Sequence, residues 1–362
     1  ELEPVITDIA TRGLSYGIHV VASTSRWMDF RPAIRDLFGS RLELRLGDPT
    51  DSLINRRAAM TVPDKPGRGI IEHPADKNKG LHVLTVRPEL STLDDTNALV
   101  KAIAANWAGP PAPRVRMLPA TVPHSDLRPG TGLRLPIGLA EADLKQVEIN
   151  FGSGSHFLLF GDMESGKSSF LRALAASIMA QFQPEEARIV LVDYRRSLID
   201  IPESEHRIGY GMQAQKTLEL MQSVAGYMER RLPGPDVTAQ QLRDRSWWTG
   251  PELFVLVDDY DLVVAGPTNP LTPLLEYLPQ ARDVGLHLVL TRRSGGAGRA
   301  LFDPVIQRLR ELSAPGLVMS GSPDEGALIG NVRPAPMPPG RGRLVTRREG
   351  VRLVQLAYLP PR

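Results

Sequence analysis

Gly161-Asp162-Met163-Glu164-Ser165-Gly166-Lys167-Ser168 is the stretch that decides how this chain is read. The octet fits Gly-x-x-x-x-Gly-Lys-Ser/Thr, a loop that wraps phosphates. Gly161 and Gly166 permit backbone angles that a side chain forbids, so successive N–H groups can point at the phosphates. Lys167 places a compact positive charge on the terminal phosphates, and the Ser168 hydroxyl is a hard oxygen ligand for Mg²⁺. The helix that follows, with Ser169 in its first turn, adds its N-terminal dipole. Residues 161 to 169 are therefore the expected contacts of ATP, with Mg²⁺ as the companion ion.

The flanks agree with the loop. His156-Phe-Leu-Leu-Phe160 is a short apolar run suited to a buried parallel strand, and Ser169 to Ala180 carries strong helix formers at helical apolar spacing. The chain has only seven lysines among 43 basic residues, so a lysine at this position stands out. Farther on, Glu252-Leu-Phe-Val-Leu-Val257 reads as an apolar strand ending in Asp258-Asp259. In phosphate-loop nucleotidases such a strand lies beside the loop, and its first acid holds Mg²⁺ through water. Ser168 and Asp258 are thus the expected metal residues. Asp259 stands where hydrolysing members usually carry a glutamate that polarises the attacking water. A general base has to reach its proton, and one methylene less argues for weak or conditional hydrolysis.

Ala187 to Asp193 and Leu286 to Leu290 read as two more buried strands. Thr291, at the end of the second, is the candidate sensor of the γ-phosphate. Arg292 and Arg293 follow it, as phosphate contacts or as surface residues. Trp247-Trp248 comes after Arg243 and Arg245, a mix that can stack on nucleic-acid bases. Packing against the domain is the simpler account of the pair. Lys216 to Leu232 reads as an amphipathic helix facing the core.

Composition sets outer limits. At 362 residues the chain has room for about two domains. No apolar run approaches the roughly 18 residues that cross a bilayer. Cysteine is absent, which excludes disulfides and thiolate metal sites, and the seven histidines show no paired metal spacing. A net charge of +2 without a basic stripe argues against a nucleic-acid partner. The opening Glu1-Leu-Glu-Pro4 lacks an initiator Met, so the sequence reads as a fragment of something longer.

The chain also repeats itself in order. Gly17-Ile-His-Val-Val matches Gly285-Leu-His-Leu-Val, both read as buried strands led by Gly-x-His. Leu46-Gly-Asp-Pro49 matches Ser320-Gly-Ser-Pro323, and Pro66-Gly-Arg-Gly69 matches Pro339-Gly-Arg-Gly342. Both copies close on extended segments, 81–86 and 352–358. The offsets of 268, 274 and 273 are nearly collinear. The expected organisation is the closing part of one α/β domain over 1–107, a proline-rich linker over 108–129, and a complete phosphate-loop domain over 130–362. That domain should have a mostly parallel sheet flanked by helices, and the amino-terminal copy should be truncated.

The order of the loop, Val192-Asp-Tyr-Arg-Arg196, Arg245-Ser-Trp-Trp-x-Gly-Pro-Glu252, Val257-Asp-Asp-Tyr-Asp261 and Gly285-Leu-His resembles the FtsK/SpoIIIE family. Within it the likeness is to EccC-type tandem ATPases of type VII secretion, over essentially the whole length. The resemblance implies an ATP-binding domain at the inner face of the cell membrane, held there by other parts of its complex. It implies Esx-type secreted substrates recognised through a C-terminal signal, and other ATPase domains or subunits as neighbours. Two other readings stay open on the sequence: a fully active ATPase motor, and an FtsK-like DNA translocase.

Overall fold

The computed structural model describes residues 2–86, 96–110 and 116–361. The chain divides into two units, Glu1–Ala112 and Pro113–Arg362. In the first, strands β1 (Leu42–Leu44), β2 (Arg68–His73) and β3 (Asp76–Leu84) form an antiparallel sheet in that order. Its core is small, built on Ile54, Ala59, Val62 and Ile70. Glu43 on β1 is buried and fully partnered. It accepts from the Trp27 indole (2.7 Å), the Ser52 hydroxyl (2.6 Å) and the Leu53 N–H (2.8 Å), which offsets the cost of burying a carboxylate.

The second unit carries β4 (Val122–Pro123), β5 (Arg134–Ala140), β6 (Gln146–Asn150), β7 (His156–Phe160), β8 (Ala187–Val192), β9 (Arg207–Gly211), β10 (Glu252–Val257), β11 (Leu286–Arg292), β12 (Gly316–Val318), β13 (Arg341–Thr346) and β14 (Gly350–Tyr358). They make one sheet in the order β6-β5-β14-β13-β12-β7-β11-β10-β8-β9, with β4 beside β14. From β9 through β12 the pairs are parallel, and from β12 through β6 they are antiparallel. Side chains alternate across a strand, so β7 and β10 feed two cores at once. Leu158, Phe160, Val255 and Val257 join Met221, Val224 and Met228 of the helix Ala214–Glu229 on one face. Phe157, Leu159, Phe254 and Leu256 join Phe170, Leu171, Leu174 and Ile178 of the helix Lys167–Gln181 on the other. Both faces are covered, which explains why these strands read as unbroken apolar runs.

The repeat is visible in local geometry. Gly17 and Gly285 are both left-handed helix caps, with φ of 72° and 71°. Asp48 and Ser322 each cap a short 3-10 turn with their side chains, accepting from the N–H of Thr50 and Asp324. Gly67 and Gly340 share φ near 75° and 74°. The antiparallel meander β1-β2-β3 answers to β12-β13-β14.

One expectation fails. Leu286–Arg292 is a buried strand, but its counterpart after Gly17 is not a strand at all. Ile18 is 49% and Val21 96% exposed. β11 exists because β10 and β7 pair with its two edges, and no such neighbours stand beside residues 18–24 among the described residues. An isolated run cannot satisfy its ladder, whatever its β propensity.

The proline-rich stretch is partly anchored. Leu118 and Pro119 offer their carbonyls to Arg341, Val122–Pro123 pairs with β14, and His124 Nε2 lies 2.8 Å from Ser177 Oγ. Residues 111–115 lie outside the described residues.

Candidate nucleotide site

Strand ends converge at one edge of the parallel half. The loop 161–166 follows β7, Asp193 follows β8, Asp258 follows β10 and Ser320 follows β12. This is the carboxyl edge at which open α/β sheets hold ligands. Parallel pairing of β7 and β10 with β11 between them fixes the lateral order of loop, threonine and acids.

The loop's shape is braced from behind. Asp162 N–H donates to Ser320 O (2.9 Å), Gly161 N–H to Arg292 O (3.1 Å), and Gly340 N–H to Ser165 O (2.8 Å). A Cβ at Gly161 would come within 2.4 Å of Ser165 Oγ, so a side chain there would displace the loop serine. Gly166 and Glu164 take positive φ, 110° and 60°. The glutamate pays for that conformation with strain, of order 1–3 kcal/mol, which persists when surrounding structure imposes it. Met163 points outward, 64% exposed.

The helix Lys167–Gln181 starts at Gly166, whose lack of a side chain leaves its first N–H groups without a cap. Ser165 Oγ and Ser169 Oγ are buried with no hydrogen-bond partner among the described residues. Uncapped donors and orphaned hydroxyls beside a buried lysine fit a phosphate chain. Ser168 Oγ donates to Asp258 Oδ2 at 2.5 Å, so the two expected metal residues meet. Among the described residues no three His, Cys, Asp or Glu side chains gather to hold a metal by themselves. That donor set suits Mg²⁺, which takes one or two protein groups and fills its octahedron with phosphate oxygens and water. Burial pushes the Asp258 carboxyl up from the usual carboxylate range, and Asp259 and Asp193 push it further. The Ser168 and Thr291 hydroxyls oppose them.

Thr291 is fully buried. Its hydroxyl donates to Asp258 Oδ1 (2.8 Å) and accepts from the Asp259 N–H (3.1 Å). Its one proton is therefore spent on an acid, and contact with a phosphate oxygen as donor would require breaking that bond. Asp259 itself has φ 42°. One oxygen lies 3.3 Å from Lys167 Nζ and the other 2.7 Å from Arg195 Nε, with the Lys167 and Asp259 side chains 7% and 10% exposed. Lys167 also donates to Asp162 O at 3.1 Å. The loop lysine and the second acid thus hold each other.

Arg195 was missed as a site residue by sequence reasoning. The signal lay in Val192-Asp-Tyr-Arg-Arg196, where Asp193 fixes the turn. Its carboxylate accepts the N–H groups of Arg195 (3.1 Å) and Leu198 (2.7 Å) and the Tyr210 hydroxyl (2.8 Å). The other arginines are engaged elsewhere. Arg293 pairs with Asp261 (3.6 Å), and Arg292 donates to Arg293 O and faces Asp261, Asp303 and Glu325. The tryptophans pack. Trp247 and Trp248 donate to the carbonyls of Arg231 and Asp283, both at 2.7 Å, and the Arg231 guanidinium lies 3.9 Å over the Trp248 ring.

Comparison with known proteins adds the following. Residues 2–92 and 139–294 match the FtsK/SpoIIIE family. The chain is 50% identical over 369 residues to the ESX secretion system protein EccC of Thermomonospora curvata, covering 99% of this chain and 27% of that protein. It is 45% identical over 365 residues to the ESX-4 secretion system protein EccC4 of Mycobacterium tuberculosis, covering 99% and 28%. The chain therefore spans about a quarter of the length of these curated relatives. A solved structure of Thermomonospora curvata EccC, ATPases 2 and 3 with a signal sequence peptide, superposes with a TM-score of 0.79 at 49% identity, covering 99% of this chain and 65% of that one. EssC ATPases 2 and 3 from Geobacillus thermodenitrificans, at 16% identity and a TM-score of 0.60, share the fold.

Proposed function

We propose that this chain, which belongs to the FtsK/SpoIIIE family, is the nucleotide-holding and substrate-recognising part of a type VII secretion ATPase, with weak or conditional hydrolysis. The observation that carries the reading is the ion-paired Asp259, with one oxygen 3.3 Å from Lys167 Nζ and the other 2.7 Å from Arg195 Nε. While both cations hold it, that carboxylate is turned from an attacking water, which makes hydrolysis conditional on its release. The loop 161–169 would hold the phosphates of ATP, and Ser168 with Asp258 would hold Mg²⁺, which when bound neutralises phosphate charge. Thr291 would keep the two acids in register. The first unit, as the closing part of a preceding ATPase domain over 1–107, and the linker over 108–129 belong to the same proposal.

For the substrate, support comes from the relative solved with a signal sequence peptide. A cavity of about 310 Å³ beside edge strand β9 is lined by Val190, Ile208, Leu220, Val224, Tyr227 and Leu253, with Arg188 and Ser223 among its few polar groups. It suits apolar side chains from the C-terminal signal of an Esx-type protein, delivered to a machine held at the inner face of the membrane by its other parts. Among the described residues, no helix is long and apolar enough to cross a membrane.

Two measurements test the reading. ATP turnover should stay well below about 1 per second, and Asp259→Glu should raise it clearly. Turnover at that rate or above, abolished by Lys167→Ala, would identify a competent motor instead. A tail peptide should bind the chain and lose binding on Leu220→Lys with ADP binding unchanged. Equal capture of a substrate with and without its tail would reject tail recognition.

A further inference from the structure

The geometry points to Arg195 as the residue by which this chain distinguishes a nucleoside triphosphate from a diphosphate. The inference rests on the nucleotide-site reading and assigns a part of the site that the phosphate-loop motif does not contain.

Lys167 and Arg195 grip the two oxygens of one carboxylate, at 3.3 and 2.7 Å. A terminal phosphate drawn to Lys167 is therefore within one carboxylate's width of the Arg195 guanidinium. The two cations are not held alike. Asp259 Oδ1, on the lysine side, accepts no hydrogen bond, whereas the arginine contact is short. Arg195 makes its closest approach to Asp259 through Nε. No hydrogen bond from its two Nη groups is formed among the described residues, and its side chain is 39% exposed. A planar guanidinium with two Nη groups matches two phosphate oxygens, which an ammonium cannot do. The Asp193 carboxylate holds the turn beneath it by two backbone bonds, so the fork is presented by a rigid base.

Diphosphate and triphosphate then differ in what they ask of Asp259. A diphosphate needs the loop N–H groups and Lys167, and it leaves the Arg195–Asp259 pair in place. A γ-phosphate brings further negative charge to the same spot and competes with Asp259 for Arg195. Arg195 would move its fork to phosphate, and Asp259 would be freed from both cations at once. Triphosphate recognition and release of the shortened acid become a single event. Of the arginines that follow the β11 threonine, Arg293 pairs with Asp261 and Arg292 donates to the Arg293 carbonyl, so neither is paired with Asp259 as Arg195 is.

The test is equilibrium binding by calorimetry to the whole chain with Mg²⁺, using ADP and the non-hydrolysable triphosphate AMP-PNP. Arg195→Gln should weaken AMP-PNP by about ten- to a hundredfold while ADP changes less than about threefold. Arg195→Lys, which keeps the charge and loses the fork, should fall between the two. Asp259→Asn, which weakens the competitor, should tighten AMP-PNP and not ADP. An unchanged ratio of the two affinities in Arg195→Gln overturns the inference, as does an equal loss of both nucleotides. A merely structural role for Arg195 would lower the melting temperature without moving the ratio. If the unaltered chain binds neither nucleotide, the nucleotide-site reading itself fails, which is a different result from either.

Discussion

Gly17-Ile-His-Val-Val and Gly285-Leu-His-Leu-Val begin alike and end differently. In both, the glycine takes a left-handed conformation and closes a helical turn, φ 72° in one and 71° in the other. Past that point, the second copy is a strand with every residue from Leu286 to Thr291 buried, while Val21 of the first is 96% exposed. The glycine cap is a local instruction and works wherever it is written. The strand is an agreement among three segments, and only the second unit supplies the other two, β7 and β10. The same logic separates β1 from β12. Leu42 and Leu44 are each about half exposed on an edge, whereas β12 is buried because β7 pairs with it.

The largest contrast should come from a charge placed at matching positions. Val289→Asp puts a carboxylate between Leu256 and Phe157 with no partner, and about 4 kcal/mol or more of stability should be lost. Val21→Asp should change stability by less than about 0.5 kcal/mol. Thermal denaturation of the two variants reads both numbers. If Val21→Asp costs as much as Val289→Asp, residues 18–24 are buried in solution and the contrast collapses.

These outcomes bear on what the sequence could tell. The phosphate loop, its strand and its helix were legible because each residue's job depends on its neighbours in the chain. Asp258 and Ser168 were legible as a pair because the motif carries the pairing with it, and they meet at 2.5 Å. Residues 17–24 misled because alternation and apolarity report propensity, and propensity does not supply a partner strand. Thr291 reads as a phosphate sensor from its place at a strand end, and the hydrogen bond of its hydroxyl to Asp258 is a partner that the sequence does not name. Arg195 went unread because its tie to Asp259 depends on β8 and β10 lying side by side.

A second contrast concerns acid. His156, on β7 in the second unit, is held neutral. Its Nδ1 accepts the Leu288 N–H and its Nε2 faces Leu278 O, and burial lowers its pKa to about 4. Unfolded, it would protonate near its ordinary value of 6.5. Between those two values the unfolded chain holds the extra proton, so stability is lost as pH falls from 6.5 toward 4, by up to about 3 kcal/mol. The first unit's His19 and His82 are both exposed. Urea melts across that range should therefore show acid weakening of the second unit, and His156→Gln should flatten it. A variant as pH-sensitive as the parent would move the effect to other groups.

The smallest contrast isolates the shared glycine. Gly17→Ala places a methyl group where nothing lies within 4 Å, so only the left-handed backbone is penalised, at about 1 kcal/mol. Gly285→Ala carries the same backbone cost and also drives its Cβ to 2.7 Å from Glu252 Oε2 and from the Trp248 ring, and to 3.0 Å from Arg231. Those groups belong to the cluster in which Arg245 pairs with Glu252 and Arg231 stacks on Trp248, so they yield only by disturbing those contacts. The expected loss is about 2–3 kcal/mol, read as a shift of the denaturation midpoint at constant slope. Subtracting the Gly17 value from the Gly285 value leaves the part due to tertiary packing alone. Equal losses would mean that the cap, and not its surroundings, carries the whole requirement for glycine in both copies.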